Sequence, residues 1–149
     1  MRGIASGQKP SGPHQILVVD DDPFIRQIAQ AILSSRGQRV TVVGTGAEAL
    51  ARMAETPPDL VLLDLGLPDV PGLEVLRHLR AARSWDHVRI LMLTASHDLE
   101  DIVRAKQAGA SGYVCKPIQP DALADMVCDL LEQDALLWLD DYTRVHKGS

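Results

Sequence analysis

Four short apolar runs in this chain each end in a residue able to handle a phosphoryl group or a metal ion. Ile16-Leu17-Val18-Val19 runs into Asp20-Asp21-Asp22, and Leu60-Val61-Leu62-Leu63 into Asp64. Ile90-Leu91-Met92-Leu93 runs into Thr94, and Tyr113-Val114-Cys115 into Lys116-Pro117. Carboxylates brought close together cannot all stay ionised without a cation. A hard divalent ion such as Mg²⁺ resolves that repulsion, taking one or two carboxylates together with waters and a phosphate oxygen. An ammonium group adds a second positive charge, and a threonine hydroxyl can donate to a phosphoryl oxygen. Positioning and electrostatics of this kind are most of what phosphoryl transfer requires. Taken singly, each residue has an ordinary explanation: acids that complement a helix dipole, a loop opener, a turn cap, a solvated charge. What matters is whether the fold brings them together.

Short apolar runs between helical stretches read as buried parallel strands. The spacing predicts strands over 15–20, 39–43, 60–64, 88–93 and 112–115. Helices are expected over 23–36, 46–54, 72–83 and 98–108, with a fifth beginning near Pro120. Asp22 is a good N-cap and Pro23 suits the first helical position, while Gly37 and Gly109 make good stops. Thr45 with Glu48 three residues on has the form of a capping box. Five strands alternating with five helices give a parallel sheet covered on both faces. The common order for five strands is 2-1-3-4-5, the flavodoxin-like doubly wound arrangement, with its ligand crevice where the order reverses, between strands one and three. In that order Asp20, Asp21 and Asp64 share one crevice, and Thr94 and Lys116 end neighbouring strands on the same edge.

At 149 residues the chain is one domain of ordinary size, and its 46% hydrophobic content is normal for a globular protein. No apolar stretch approaches the length that crosses a bilayer, and residues 1–14 lack the apolar core of a signal peptide, which points to a cytoplasmic protein without membrane contact. The net charge of -5 and the absence of a basic run argue against direct nucleic-acid binding. Cys115 and Cys128 read as structural thiols, and the five histidines show no metal-ligand spacing. Residues 1–14 read as a flexible leader, 15–132 as the domain, and 133–149 as a helical extension of the last helix.

The chain closely resembles the receiver domain of two-component response regulators. The matching segments are Ile16 to Pro23, Leu62-Leu63-Asp64-Leu65-Gly66-Leu67-Pro68, Gly72-Leu73-Glu74-Val75-Leu76, Leu93-Thr94-Ala95 and Gly109 to Pro117, in the family's order and spacing. The resemblance implies that Asp64 is the phospho-acceptor, taking its phosphoryl group from a histidine kinase or phosphotransfer protein. It implies that Asp20 and Asp21 are the acidic pair around Mg²⁺, with Asp21 the direct ligand, and that the main-chain carbonyl of Gly66 is a further ligand. It places Thr94 and Lys116 on the phosphoryl oxygens and Tyr113 at the aromatic switch position, turning inward on phosphorylation. The Lys116-Pro117 peptide is expected to be cis. Such a domain is a signalling module, not an enzyme acting on other molecules. Pro71 departs from the acidic residue the family often has before Gly72. Gly66 and Ser96 are small residues at positions that influence phosphoryl lifetime, which leaves that lifetime open.

The alternative from another class is a haloacid-dehalogenase-type phosphatase with Asp20 as nucleophile. That family wants Thr or Val two residues after the second Asp, where this chain has Phe24, and a late strand carrying two acids. Here Asp140-Asp141 follow an apolar stretch of helical character, and no cap insertion is present to define a substrate. About thirty residues follow Lys116, too few for an output module, so the chain reads as a stand-alone receiver acting by protein contact or as one cut from a longer chain. Gly148-Ser149 reads as a cloning remnant, which keeps the second open. Trp138, Tyr142 and Val145 roughly continue the apolar face of the last helix, with a homodimer the simplest contact it could make.

Overall fold

A computed structural model of the chain describes residues 13–95 and 98–132. The leader up to residue 12, Ser96 and His97, and the 133–149 extension with its expected dimer contact lie outside the described residues. Five strands, β1 (Gln15–Val19), β2 (Arg39–Val43), β3 (Leu60–Asp64), β4 (Arg89–Thr94) and β5 (Gly112–Cys115), alternate with five helices. The helices are α1 (Pro23–Ser35), α2 (Gly46–Ala51), α3 (Gly72–Ala81), α4 (Leu99–Gln107) and α5 (Pro120–Glu132). All strand pairs are parallel, in the order β2-β1-β3-β4-β5. The expected topology is the observed one.

Because successive side chains in a strand point to opposite faces, each central strand feeds two cores. Leu17, Val19, Val61, Leu63, Ile90 and Met92 face Val75, Leu76 and Leu79 of α3, with Ala49 of α2 and Ala105 of α4 in the same cluster. Ile16, Val18, Leu60, Leu62, Leu91 and Leu93 face Ala29 and Leu33 of α1 and Leu123, Val127 and Leu130 of α5. Burial on both sides explains why these strands read as unbroken apolar runs rather than alternating ones. The register sets Val19 beside Leu63 and Thr94 beside Cys115, so the strand ends line up along one edge.

The helix starts are set by side chains visible in the sequence. Asp22 Oδ1 accepts from the Phe24 N–H at 2.9 Å, and Thr45 Oγ1 from the Glu48 N–H at 3.1 Å. Glu48 Oε1 reaches back to the Gly44 N–H at 3.1 Å, and Asp98 caps α4 through the Glu100 N–H at 3.0 Å. Gly37 and Gly109 take positive φ after α1 and α4, as their places as stops require.

Differences lie at the ends. β1 stops at Val19, so Asp20 opens the loop, whereas β4 runs from Arg89 through Thr94. The second helix tightens to a 3-10 turn over Arg52–Ala54. After α3 a separate 3-10 turn, Arg83–Trp85, puts the Trp85 ring in the core. His14, read as leader, is tied to the sheet, since its carbonyl accepts from the Arg39 N–H at 2.9 Å.

Candidate active site

The crevice forms where β1, β3, β4 and β5 end together. Asp20 follows β1, Asp64 ends β3, Thr94 ends β4 and Lys116 follows β5. One carboxylate oxygen from each of Asp20, Asp21 and Asp64 lies within 4.8 Å of the other two. Lys116 Nζ stands 2.8 Å from Asp20 Oδ2 and 3.5 Å from Asp64 Oδ1. A cleft beside this cluster is lined by Asp64, Gly66, Thr94, Asp101 and Lys116. Every side chain expected at the site is at this edge except Tyr113, which lies buried within β5.

Burial differs sharply across the acidic group. Asp20 is fully buried, Asp64 and Thr94 are buried, and Asp21 is exposed. Asp20 Oδ1 accepts from the Asp22 N–H at 2.9 Å, whereas Oδ2 has the charge contact with Lys116 and no aligned hydrogen bond. A buried carboxylate oxygen left short of partners costs free energy unless a cation completes it. Asp64 Oδ1 accepts from the Gly66 N–H at 3.1 Å. Desolvation, with repulsion from Asp20 and Asp21, holds the Asp64 carboxyl above the usual range despite the opposing Gly66 hydrogen bond and the Lys116 charge. Burial alone would lower the Lys116 ammonium, but its contacts with Asp20 and Asp64 outweigh that and raise it, so it stays charged. Three acids against one ammonium leave the pocket with surplus negative charge, and the donor set is all oxygen. The pocket fits a hard cation.

Residues 16–128 match the family model described as the response regulator receiver domain. The chain belongs to the receiver-domain family of two-component response regulators. This receiver domain is 44% identical over 113 residues to the DNA-binding response regulator MtrA of Mycolicibacterium smegmatis, covering 76% of this chain and 48% of that protein. It is 45% identical over 106 residues to the transcriptional regulatory protein KdpE of Mycobacterium tuberculosis, covering 71% of this chain and 46% of that one. The chain thus spans about half the length of the curated relatives it matches. Among solved structures, a CheY-like receiver domain from Methanospirillum hungatei superposes with a TM-score of 0.77 at 32% identity, covering 83% of this chain and 97% of that one. The phosphatase alternative is set aside by this match. No helix among the described residues is long and apolar enough to cross a membrane.

Two expectations about the receiver domain can be placed beside the geometry. The Lys116-Pro117 peptide is cis. Tyr113 is fully buried and packed in the α3-side core, so its ring already occupies the inward position that the sequence reading assigned to the phosphorylated form. Neither Cys115 nor Cys128 is in a disulfide, and both are half-buried.

Three residues that sequence reasoning passed over also shape the site. Arg26, one turn into α1, donates to the Asp20 carbonyl at 2.8 Å and holds the loop after β1. Gly72, read only as a helix start, lies against Asp64: a Cβ there would come 2.2 Å from the Asp64 carbonyl oxygen. Asp69, read only as part of a loop, accepts from the Gly46 and Ala47 N–H groups of α2, each at 2.9 Å. An acid in a Pro-rich loop was the available signal for Asp69, but its partners lie more than twenty residues away.

Proposed function

We propose that this receiver domain takes a phosphoryl group onto Asp64 from the phosphohistidine of a histidine kinase or phosphotransfer protein, with Mg²⁺ in the acidic pocket. An Asp64 carboxylate oxygen attacks phosphorus in line, the new P–O bond forms as the P–N bond breaks, and the donor imidazole leaves with its electron pair. Asp20, Asp21, Asp64 and the main-chain carbonyl of Gly66 would hold the ion. When bound, Mg²⁺ neutralises charge on the transferring group. Lys116 supplies the second cation, and the Thr94 hydroxyl donates to a phosphoryl oxygen. The observation that carries this reading is the Lys116 ammonium bridging Asp20 and Asp64 beside the exposed Asp21.

The domain catalyses only its own phosphorylation and dephosphorylation, and it acts in the cytoplasm, where its donor is made. The phosphoryl group would draw Thr94 and Lys116 towards Asp64 and stabilise the inward Tyr113 ring, fixing the surface around α4 and β5 for an output partner. Packed cores favour such discrete arrangements over continuous deformation.

The test is phosphoryl uptake from a small-molecule phosphodonor with Mg²⁺. Intact-mass measurement should show one added phosphoryl group, mapping to Asp64. Asp64→Asn keeps the side-chain volume and removes the nucleophile, so it should stay folded and unlabelled. Undiminished labelling of that variant at another residue would overturn the assignment.

A further inference from the structure

The loop between β3 and α3 is held at its base, in its middle and at its apex. At the base, the Leu65 N–H donates to the Leu93 carbonyl at 2.9 Å and the Gly72 N–H to the Leu65 carbonyl at 3.0 Å. In the middle, Leu67 is buried in the core. At the apex, Asp69 bonds two N–H groups of α2, a helix that contributes no side chain to the acidic cluster. Beside that bond α2 and the loop are in close contact: a Cβ on Gly46 would come 2.8 Å from the Val70 Cβ and 3.0 Å from a Val75 methyl. Thr45 caps the Glu48 N–H, so Asp69 provides the other two side-chain caps of the same helix start. These backbone donors hold the Asp69 carboxyl down to about 2, so it is charged throughout the functional range.

Between Asp64 and Asp69 lies Gly66, which is exposed. Mg²⁺ demands near-octahedral geometry, so a ligand carried on a loop serves it well only if the loop is ordered beforehand. If the apex is untied, the entropy of ordering that segment is charged against metal binding instead.

We propose that Asp69, by tying the β3–α3 loop to the start of α2, is a positioning residue that pre-orders the Gly66 main chain for the metal. This rests on the reading of the pocket as a Mg²⁺ site. Asp69 lies outside the acidic cluster and would act without touching the ion. Its effect passes through the loop, in the way outer partners of metal ligands tune affinity.

Calorimetric titration of the intact chain with magnesium chloride tests it. Asp69→Ala should bind Mg²⁺ about tenfold more weakly than wild type. Thr45→Ala, which removes the other cap from α2 without touching the loop, should lower the thermal midpoint comparably and keep wild-type affinity. Asp69→Asn keeps the volume and one acceptor oxygen, so it should show a smaller loss of the same sign, and it carries the test if the alanine variant does not fold. Wild-type affinity in a folded Asp69 variant overturns the proposal. So does an equal loss in Thr45→Ala, because helix fraying then explains the effect. A wild-type chain that binds no Mg²⁺, or an Asp21→Asn variant that binds it undiminished, removes the metal reading itself and the proposal with it.

Discussion

The first residue of α3, Gly72, lies so close to the end of β3 that a Cβ on it would stand 2.2 Å from the Asp64 carbonyl oxygen. Both atoms belong to or adjoin backbone, so no side-chain rotation relieves the clash. Gly72→Ala should destabilise the domain by about 3 kcal/mol, the upper range for overpacking. It should also slow phosphoryl uptake even where the protein remains folded, because the strain displaces Asp64. Urea unfolding and the labelling rate measure the two effects, and a stable variant with normal uptake would contradict the close approach.

Lys116 holds together two carboxylates that otherwise repel. Lys116→Met should cost about 3 kcal/mol without metal, since removing one partner of a buried pair leaves uncompensated charge. Added Mg²⁺ should then raise the thermal midpoint of the variant more than that of wild type, because the ion replaces the missing cation. Equal Mg²⁺ shifts in the two proteins would argue against a shared site.

Arg80 joins the end of α3 to the turn before β5. Its guanidinium donates to the Gly109 carbonyl at 2.9 Å, the Trp85 carbonyl at 3.1 Å and the Ser111 hydroxyl at 3.4 Å. Ser111 Oγ in turn accepts from the Ile90 N–H at 3.0 Å. Arg80→Ala should lower stability by about 2–3 kcal/mol, as it leaves part-buried acceptors without a donor. Arg80→Lys should recover little, because an ammonium cannot span the fork. Urea denaturation of both variants checks this.

The Asp69 carboxyl links stability to acid. Its folded value of about 2 lies below the ordinary 3.8. A depressed value means the contribution is present above the unfolded value and is lost as pH falls from about 4 towards 2. Asp69→Asn should therefore flatten that part of the stability-against-pH curve and leave the neutral region parallel to wild type. Thermal midpoints taken across the acid range read it directly.

Much of this domain is legible residue by residue in the chain. Apolar runs buried on both faces mark the strands, and Asp22, Thr45 and Asp98 mark helix starts through bonds two or three residues long. The acidic cluster follows from topology, because parallel strands put Asp20, Asp64, Thr94 and Lys116 on one edge. What could not be read depends on long-range contact. The roles of Gly72 against Asp64, of Asp69 on α2 and of Arg80 on Ser111 exist only after the layers have packed. The 3-10 turns at Arg52–Ala54 and Arg83–Trp85 likewise answer to packing rather than local preference. The inward Tyr113 ring belongs to the same class, since its place is set by the core around it.

The sheet order also fixes a sequence of events during synthesis. β1 lies between β2 and β3, and its partner Leu60 for Ile16 is made 44 positions later. The acids are synthesised early, with Asp20 and Asp21 first and Asp64 next, whereas the ammonium that offsets them comes just after the last strand. A nascent chain that has completed β3 but not β5 therefore carries an unbalanced acidic cluster with no Lys116. Until β4 is made, β3 is an edge strand with its hydrogen-bonding edge bare. The counter-charge of the acidic cluster is thus the last of its parts to be made.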